Sequence, residues 1–323
     1  MKRSDLAAAA AVIRSGRSFV LAGHTNPDGD CLGSIAGMSV VLSGMGKRVS
    51  AVVPEGVPEL YKFLPGAERM IAQPPHDERF DVGIAFDSDR QDRLGPAAQI
   101  FDRCDQVVVL DHHVGCEWNK GILLVDSTKA SCGEIVYCLI RELGAPVTRE
   151  VAESLLTAIV TDTGSFRYSN VKAETLRIAA DLVEAGGVPG TIVERVYESR
   201  SLASAKALGK ALTNLQITDV GRISYTFLTR QDIEEAGAAD ADTEGIVNVV
   251  RSIRGARVGI FFREVSTEST RVSLRSTGGE DVSAIAKEFG GGGHKAAAGC
   301  TVEKPVTQAI EAVLDSVRQC MAS

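Results

Sequence analysis

Apolar and polar positions in the first half of the chain follow two alternating periods. Short runs rich in Val, Ile and Phe recur at 18–23 (SFVLAG), 48–53 (RVSAVV), 81–86 (DVGIAF), 106–111 (QVVVLD) and 121–126 (GILLVD). Continuous apolar runs of this length predict buried, mostly parallel strands. Between several of them apolar residues recur at helical spacing, as in Leu32 to Met45. A second such stretch, 130–144, is closed by Gly144 with Pro146 just beyond. A third, 148–162, opens with Thr148 as N-cap and carries Val151 and Leu155 one turn apart. The Ala run at 7–11 predicts an N-terminal helix. Strands alternating with helices predict an α/β domain on a mainly parallel sheet.

Glycines and a proline interrupt the pattern at 184–201, where a domain boundary is expected. This divides the chain into a first domain at 1–188, a linker at 189–204 and a second domain at 205–323. The second half carries expected strands at 222–228, 257–265 and 271–276. Helical stretches are expected at 244–253, at 281–289 (DVSAIAKEF) and near 305–320. That mixture predicts a smaller α+β domain. The acidic stretch from Asp232 to Glu244 reads as a solvated helix and loop.

Composition narrows the class. With 323 residues, 44% hydrophobic and 24% charged, the chain suits two soluble globular domains, each with its own core. The formal charge is 35 − 42 = −7, and the second half is balanced, so the negative excess lies in the first two hundred residues. No basic surface is predicted for a long nucleic acid, and 5% aromatic content leaves no stacking stripe around Phe166, Tyr168 and Trp118. Seven cysteines, without a C-x-x-C pair, favour a reducing cytoplasm over a disulfide framework. No apolar segment reaches the length of a membrane span, and the Ala-rich start does not read as a signal peptide.

Candidate chemistry follows the strand ends, where ligands of open α/β sheets collect. After the first run come His24, Asp28 and Asp30. After DVGIAF comes Asp87, with Asp89 beyond it; QVVVL ends in Asp111, His112 and His113. The helix at 148–162 runs into Asp162. One aspartate after a strand is usually a turn or N-cap residue. Four clusters at equivalent positions are better explained by metal, because converging carboxylates must otherwise bind protons. Mixed Asp and His donors suit Mn²⁺, Zn²⁺ or Fe²⁺, and their number suits a two-metal site. In the second half, GGGG (290–293) reads as a flexible linker by composition. Its ending in His294 and Lys295 favours an anion site instead, with glycine N–H groups open to a phosphate.

HTNPDGDCLGS (24–34), FDSD (86–89), DHH (111–113) and TDTGSF (161–166) resemble the four successive motifs of the DHH phosphoesterase superfamily. GGGGHKAAAG (290–299) resembles the signature of its DHH-associated C-terminal domain. Together they cover almost the whole chain, which looks most like the NrnA-like nano-RNases. The resemblance implies a metal-binding catalytic domain, a substrate-binding domain and an active-site cleft between them. It implies His24, Asp28 and Asp87 on one ion, usually Mn²⁺, and Asp30, Asp87, His112 and Asp162 on a second. Asp111 would orient a ligand and His113 would lie near the substrate phosphate. Gly291, Gly292, Gly293, His294 and Arg275 would bind the substrate's terminal phosphate or sugar.

The implied reaction is attack of a two-metal-activated hydroxide on phosphorus. The substrates would be RNA of two to five nucleotides, or the 3′-phosphate of 3′-phosphoadenosine 5′-phosphate (pAp). A soluble cyclic di-AMP or pApA phosphodiesterase would use the same ligands, and a catalytically silent nucleotide sensor is the reading from another class. The GGGGH ending argues against a manganese pyrophosphatase. The acidic charge and the missing additional nucleic-acid domain argue against a RecJ-like processive exonuclease. Family members are often homodimers.

Overall fold

The computed structural model describes residues 2–72, 78–219, 221–277 and 279–322, without the side chain of His294. The chain divides into two compact units, Met1–Ser199 and Arg200–Ser323. The first opens with helix α1 (Arg3–Ser15), strand β1 (Ser18–Gly23), α2 (Gly29–Gly44), β2 (Arg48–Val52) and β3 (Phe80–Phe86). It continues with α3 (Ala98–Phe101), β4 (Cys104–Asp111), β5 (Ile122–Val125), α4 (Cys132–Leu143) and α5 (Arg149–Asp162). Helices α6 (Ala173–Glu184) and α7 (Pro189–Tyr197) close it.

All five strands are parallel, in the order β2-β1-β3-β4-β5. The order reverses between β1 and β3. Crevices form at such switch points, outside the carboxyl ends of the strands. Phe19, Leu21, Ile84, Phe86, Val108 and Leu110 are fully buried in the sheet, which explains their reading as continuous apolar runs.

Helix α2 is buried on nearly every side because it lies among β1, α4 and α5. Its approach to α5 rests on three glycines one turn apart. A Cβ on Gly29 would fall 2.4 Å from Thr161, one on Gly33 would fall 2.4 Å from the Ser154 carbonyl, and one on Gly37 would fall 2.9 Å from Leu155. Gly133 on α4 meets Ala158 of α5 in the same way. Small residues let the two backbones come together, and the end of α5 thereby reaches the start of α2.

The second unit comprises α8 (Leu202–Thr213), β6 (Gln216–Thr218), β7 (Ile223–Leu228), α9 (Arg230–Ala236) and α10 (Ile246–Arg251). After them come β8 (Val258–Ser266), β9 (Ser269–Ser276), α11 (Val282–Glu288), β10 (Gly292–His294), β11 (Ala297–Val302) and α12 (Val306–Ala322). Its six strands run in the order β10-β11-β9-β8-β7-β6, antiparallel except for β7 with β8. A mixed sheet with helices packed on it matches the α+β expectation, and its core gathers Ile260, Phe262, Leu274, Ile285, Val313 and Val317.

Two stretches carry structure that the sequence reading did not assign, and the division between Ser199 and Arg200 falls inside the first. The stretch expected as linker, 189–204, contains α7, which buries Ile192, and the first residues of α8. The glycine run turns into β10, which forms an antiparallel hairpin with the Ala-rich β11. In that hairpin Gly291 and Gly293 are required by packing, since a Cβ would lie 2.2 Å from the Gly299 carbonyl or 2.5 Å from that of Ala297.

Candidate metal centre

The side chains expected from the first-half motifs converge at the carboxyl ends of β1, β3 and β4 and at the last residue of α5. Asp28 is the N-cap of α2, its Oδ1 accepting from the amides of Asp30 (3.0 Å) and Cys31 (3.1 Å). The modest role expected of a strand-end aspartate is therefore realised, and it coexists with a place in the cluster. Asp30 falls in the first turn of α2 rather than in an open turn. The N-terminus of α4 grips it: Cys132 N–H donates to Oδ2 (2.7 Å) and Gly133 N–H to Oδ1 (2.9 Å). The capping signal Ser131–Glu134, in which the Ser131 hydroxyl accepts from Glu134 N–H, marks that helix start in the sequence. Its meeting with Asp30, a hundred residues away, leaves no local signal.

Asp87 lies at the centre. Its Oδ2 is 3.4 Å from His24 Nε2, while its Oδ1 is 3.4 Å from His112 Nε2 and 3.5 Å from His113 Nδ1. Around His112 Nε2 also stand Asp30 Oδ2 and Asp162 Oδ2, each at 3.7 Å. His24 Nε2 is 4.0 Å from Asp28 Oδ1. Three donor groups result, His24–Asp28–Asp87, Asp30–His112–Asp162 and Asp87–His112–His113, each within 4.8 Å, and the two oxygens of Asp87 face one of the first two apiece. Asp111 is fully buried; its Oδ1 accepts from His113 Nδ1 (2.6 Å) and fixes that ring beside His112. Asp89 stays outside the cluster and pairs with Arg93.

The electrostatics are those of carboxylates and imidazoles buried together. Burial, with the charges of Asp87 and Asp162, pushes Asp30 well above the usual carboxylate range, although two amide N–H groups pull the other way. Burial likewise raises Asp162 to about 7. Burial also opposes ionisation of Asp87, yet His112, His24 and His113 hold it well below the ordinary value. For the imidazoles burial works against protonation, but Asp87 and its neighbours raise His24 to about 9 and His112 to about 11. Asp111 and Asp87 raise His113 in the same sense.

The residues fit a metal. Asp87 Oδ1 and Asp111 Oδ2 are buried and accept no hydrogen bond among the described residues. His24 Nδ1 lies 2.8 Å from the Thr25 carbonyl, which can only accept. Nδ1 therefore carries a proton, and Nε2, which faces Asp87 and Asp28, is the atom that would bind a metal once its own proton leaves.

Two supports escaped the sequence reading. Asp87 has φ +52°, a backbone that a non-glycine residue adopts at a cost. Trp118 braces the next residue, its Nε1–H donating to the Ser88 carbonyl at 2.9 Å while the ring packs edge-on against Phe101. The second unit holds the other expected residues. Ala297 pairs with His294 on one side and Arg275 on the other, so these positions share a register line across three strands. Arg275 donates from Nη1 to the Leu274 carbonyl at 3.0 Å.

A doubly wound parallel sheet with carboxylates and imidazoles at its switch point, joined to a second α+β unit, has recognisable relatives. Residues 18–159 match the DHH family, N-terminal domain, and residues 221–323 match the DHHA1 domain. The chain belongs to the DHH family of phosphoesterases, which are hydrolases. It is 34% identical over 305 residues to the bifunctional oligoribonuclease and PAP phosphatase NrnA of Thermus thermophilus, covering 93% of this chain and 89% of that protein. The protein of that name from Bacillus subtilis is 27% identical over 293 residues, covering 88% and 89%. Among solved structures, an exopolyphosphatase-related protein from Bacteroides fragilis superposes with a TM-score of 0.93 at 26% identity, covering 98% of this chain and 96% of that one. No helix among the described residues is long and apolar enough to cross a membrane.

Proposed function

We propose that this chain is a metal-dependent phosphoesterase that hydrolyses RNA of two to five nucleotides to mononucleotides and removes the 3′-phosphate of pAp. The observation that carries the reading is Asp87, whose two oxygens each face a separate His–Asp set. The names of the relatives from Thermus thermophilus and Bacillus subtilis, oligoribonuclease and PAP phosphatase, support the substrate class.

In this reading His24, Asp28 and Asp87 hold one divalent ion, and Asp30, Asp87, His112 and Asp162 hold the second, with Mn²⁺ as the metal. Bound there, divalent ions would let water lose a proton near neutral pH to become a hydroxide nucleophile and would neutralise charge on the phosphoryl oxygens. The chain's own residues do the rest. Amides at the start of α4 keep Asp30 aimed at the centre. Asp111 locks His113 by its Nδ1, and with Asp87 it shifts that imidazole toward the protonated form. His113 can then donate a hydrogen bond to a phosphoryl oxygen as negative charge grows there.

Arg275, Gly291, Gly292, Gly293 and His294 contribute contacts to the substrate's terminal phosphate or sugar. Gly292 supports this, because a Cβ there meets nothing within 4 Å and packing does not require its smallness. The cysteines are all unpaired, which supports a cytoplasmic location. Homodimerisation belongs to the same proposal.

The test is a product assay with Mn²⁺ on a 5′-phosphorylated RNA dinucleotide, a 24-mer RNA, pAp and cyclic di-AMP. Turnover of the dinucleotide and pAp, with the 24-mer nearly untouched, is the expected result. Dominant attack on cyclic di-AMP would replace the reading with that of a signalling phosphodiesterase. Silence on all four with metal bound would point to a nucleotide sensor.

A further inference from the structure

The turn that follows Asp162 is strained and leads into Arg167 and Tyr168, two side chains that the metal centre does not use. Gly164, Ser165 and Phe166 have φ of +54°, +60° and +62°, three successive residues in left-handed conformation. For the two non-glycine residues this backbone is sterically costly. Thr163 holds the turn: its hydroxyl donates to the Ile159 carbonyl (2.5 Å) and accepts from Phe166 N–H (3.0 Å). Asn170 closes it by donating to the Asp162 carbonyl at 3.0 Å and the Ala130 carbonyl at 3.1 Å.

The reversal folds the following residues back over the end of α5. Arg167 Nε donates to the Gly164 carbonyl at 2.6 Å. Among the described residues that is the side chain's only hydrogen bond, the backbone N–H donating separately to the Thr163 carbonyl at 3.0 Å, and no carboxylate of the nearby cluster pairs with its terminal nitrogens. The Tyr168 ring lies over Gly164, so close that a Cβ there would fall 2.4 Å from the ring. From α7, the Tyr197 hydroxyl comes within 3.4 Å of the Val160 and Thr161 carbonyls, beside the peptide that leads into Asp162. Both tyrosines are exposed, at 37% and 36%. Partial burial and the proximity of Tyr168, Asp162 and Asp28 raise the Tyr197 hydroxyl to about 12 against the pull of Arg167, so it remains a hydrogen-bond donor at neutral pH.

We propose that Arg167 binds the phosphate of a nucleotide brought to the metal centre, and that Tyr168 and Tyr197 form the wall on which that nucleotide's base stacks. A guanidinium pinned by Nε keeps two terminal NH₂ groups for phosphoryl oxygens, the fork geometry suited to phosphate. Aromatic faces accept any base, which suits a short-RNA substrate. This inference rests on the nucleotide-phosphoesterase reading. It adds to that reading the residues that recognise the nucleotide within the first unit.

The experiment measures equilibrium binding of AMP and of ribose 5-phosphate by calorimetry in Mn²⁺, together with dinucleotide turnover, for wild type, Tyr168→Ala, Tyr197→Ala and Arg167→Met. Stacking contributes about 1–3 kcal/mol per base, so wild type should prefer AMP by roughly five- to a hundredfold. Tyr168→Ala should erase most of that preference and Tyr197→Ala part of it, both leaving ribose 5-phosphate binding unchanged. Arg167→Met should weaken both ligands in proportion. Melting temperatures and metal stoichiometry check that the variants fold.

Tyrosine variants that keep the AMP preference overturn the wall, and an Arg167→Met protein that binds both ligands normally overturns the phosphate contact. If wild type does not turn over the dinucleotide but binds AMP with these dependences, the proposed reaction fails and the nucleotide site stands. Wild type that turns over the dinucleotide while the variants lose nothing sinks only this inference.

Discussion

Asp87 combines a left-handed backbone with burial among three imidazoles, and its place depends on neighbours that are distant in sequence. Its N–H donates to the Leu110 carbonyl at 2.9 Å, and Trp118 anchors Ser88 just after it. An alanine here removes the group that faces both donor sets. Asp87→Ala should lower Mn²⁺-dependent hydrolysis by more than about a hundredfold, exceeding the usual cost of losing an outer partner of a metal ligand. The melting temperature in chelator should stay near that of wild type. Turnover close to normal with metal supplied would show that Asp87 does not link the sets.

Asp162 carries a pH prediction. Burial raises its carboxyl to about 7, above the ordinary value of about 3.9. A raised acid favours the protonated form in the fold, so its stabilisation is complete below about pH 4 and is lost as pH rises through 7. A divalent ion takes the proton's place, and binding therefore tightens between pH 6 and pH 8. His24 and His112, raised to about 9 and about 11, release protons on binding throughout that range. Asp162 contributes only at its lower end. Calorimetric titration of Mn²⁺ in buffers of different ionisation enthalpy should show proton release falling from pH 6 to pH 8. In Asp162→Asn the fall should be shallower, with Asp30 also raised, and an equally steep fall in that variant would refute the assignment.

At the scale of elements, the close approach of α2 to α5 brings Asp28 and Asp30 within reach of Asp162. Gly33 and Gly44 lie on the same helix and separate two causes. A Cβ at Gly33 would meet the Ser154 carbonyl at 2.4 Å, whereas one at Gly44 meets nothing within 4 Å. Gly33→Ala should destabilise by about 1–3 kcal/mol through overpacking and weaken metal binding by moving Asp30. Gly44→Ala should be neutral or stabilise by up to about 1 kcal/mol through helix propensity. Thermal melts and Mn²⁺ titration decide, and equal effects at the two positions would refute the close-packing account.

The hairpin at β10 and β11 offers a parallel comparison. Gly291→Ala should disrupt packing against Gly299 and Cys300, whereas Gly292→Ala should leave the melting temperature unchanged. If Gly292 lets a phosphate approach the backbone, its alanine variant should raise KM on the dinucleotide several-fold with kcat preserved. An unchanged KM would remove the glycine run from the substrate site.

At the scale of the whole molecule, each unit owns a core, and the metal centre belongs to the first alone. Ions at a thousand times their dissociation constant stabilise by about 4 kcal/mol. For a unit of this size that is a shift of roughly 8–16 °C. Calorimetry with chelator should lower the transition of Met1–Ser199 by about that amount and leave that of Arg200–Ser323 in place. Coincident shifts of both transitions would contradict a metal centre confined to the first unit.

Much was legible from local pattern. Five apolar runs became five parallel strands, the N-cap Thr148 holds α5 through Val151 N–H, and the ionisable clusters stand at strand ends. What was missed has physical causes. Strand β10 is Gly-Gly-His, with no β-propensity to read. Helix α7 sits in a stretch whose Gly and Pro signal a break, yet Pro189 opens the helix at its first position, where proline is tolerated.

The sequence by itself determined the period of each element and the identity of the groups at each strand end, because both depend on residues within a turn or two of one another. Only the tertiary structure decided which groups meet. The amide of Cys132 reaches Asp30, Trp118 reaches Ser88, and Tyr197 reaches the Thr161 carbonyl at the end of α5 across gaps of 102, 30 and 36 residues. Such contacts arise when buried surfaces choose one packing among many, and the spacing of apolar residues along the chain holds no record of that choice.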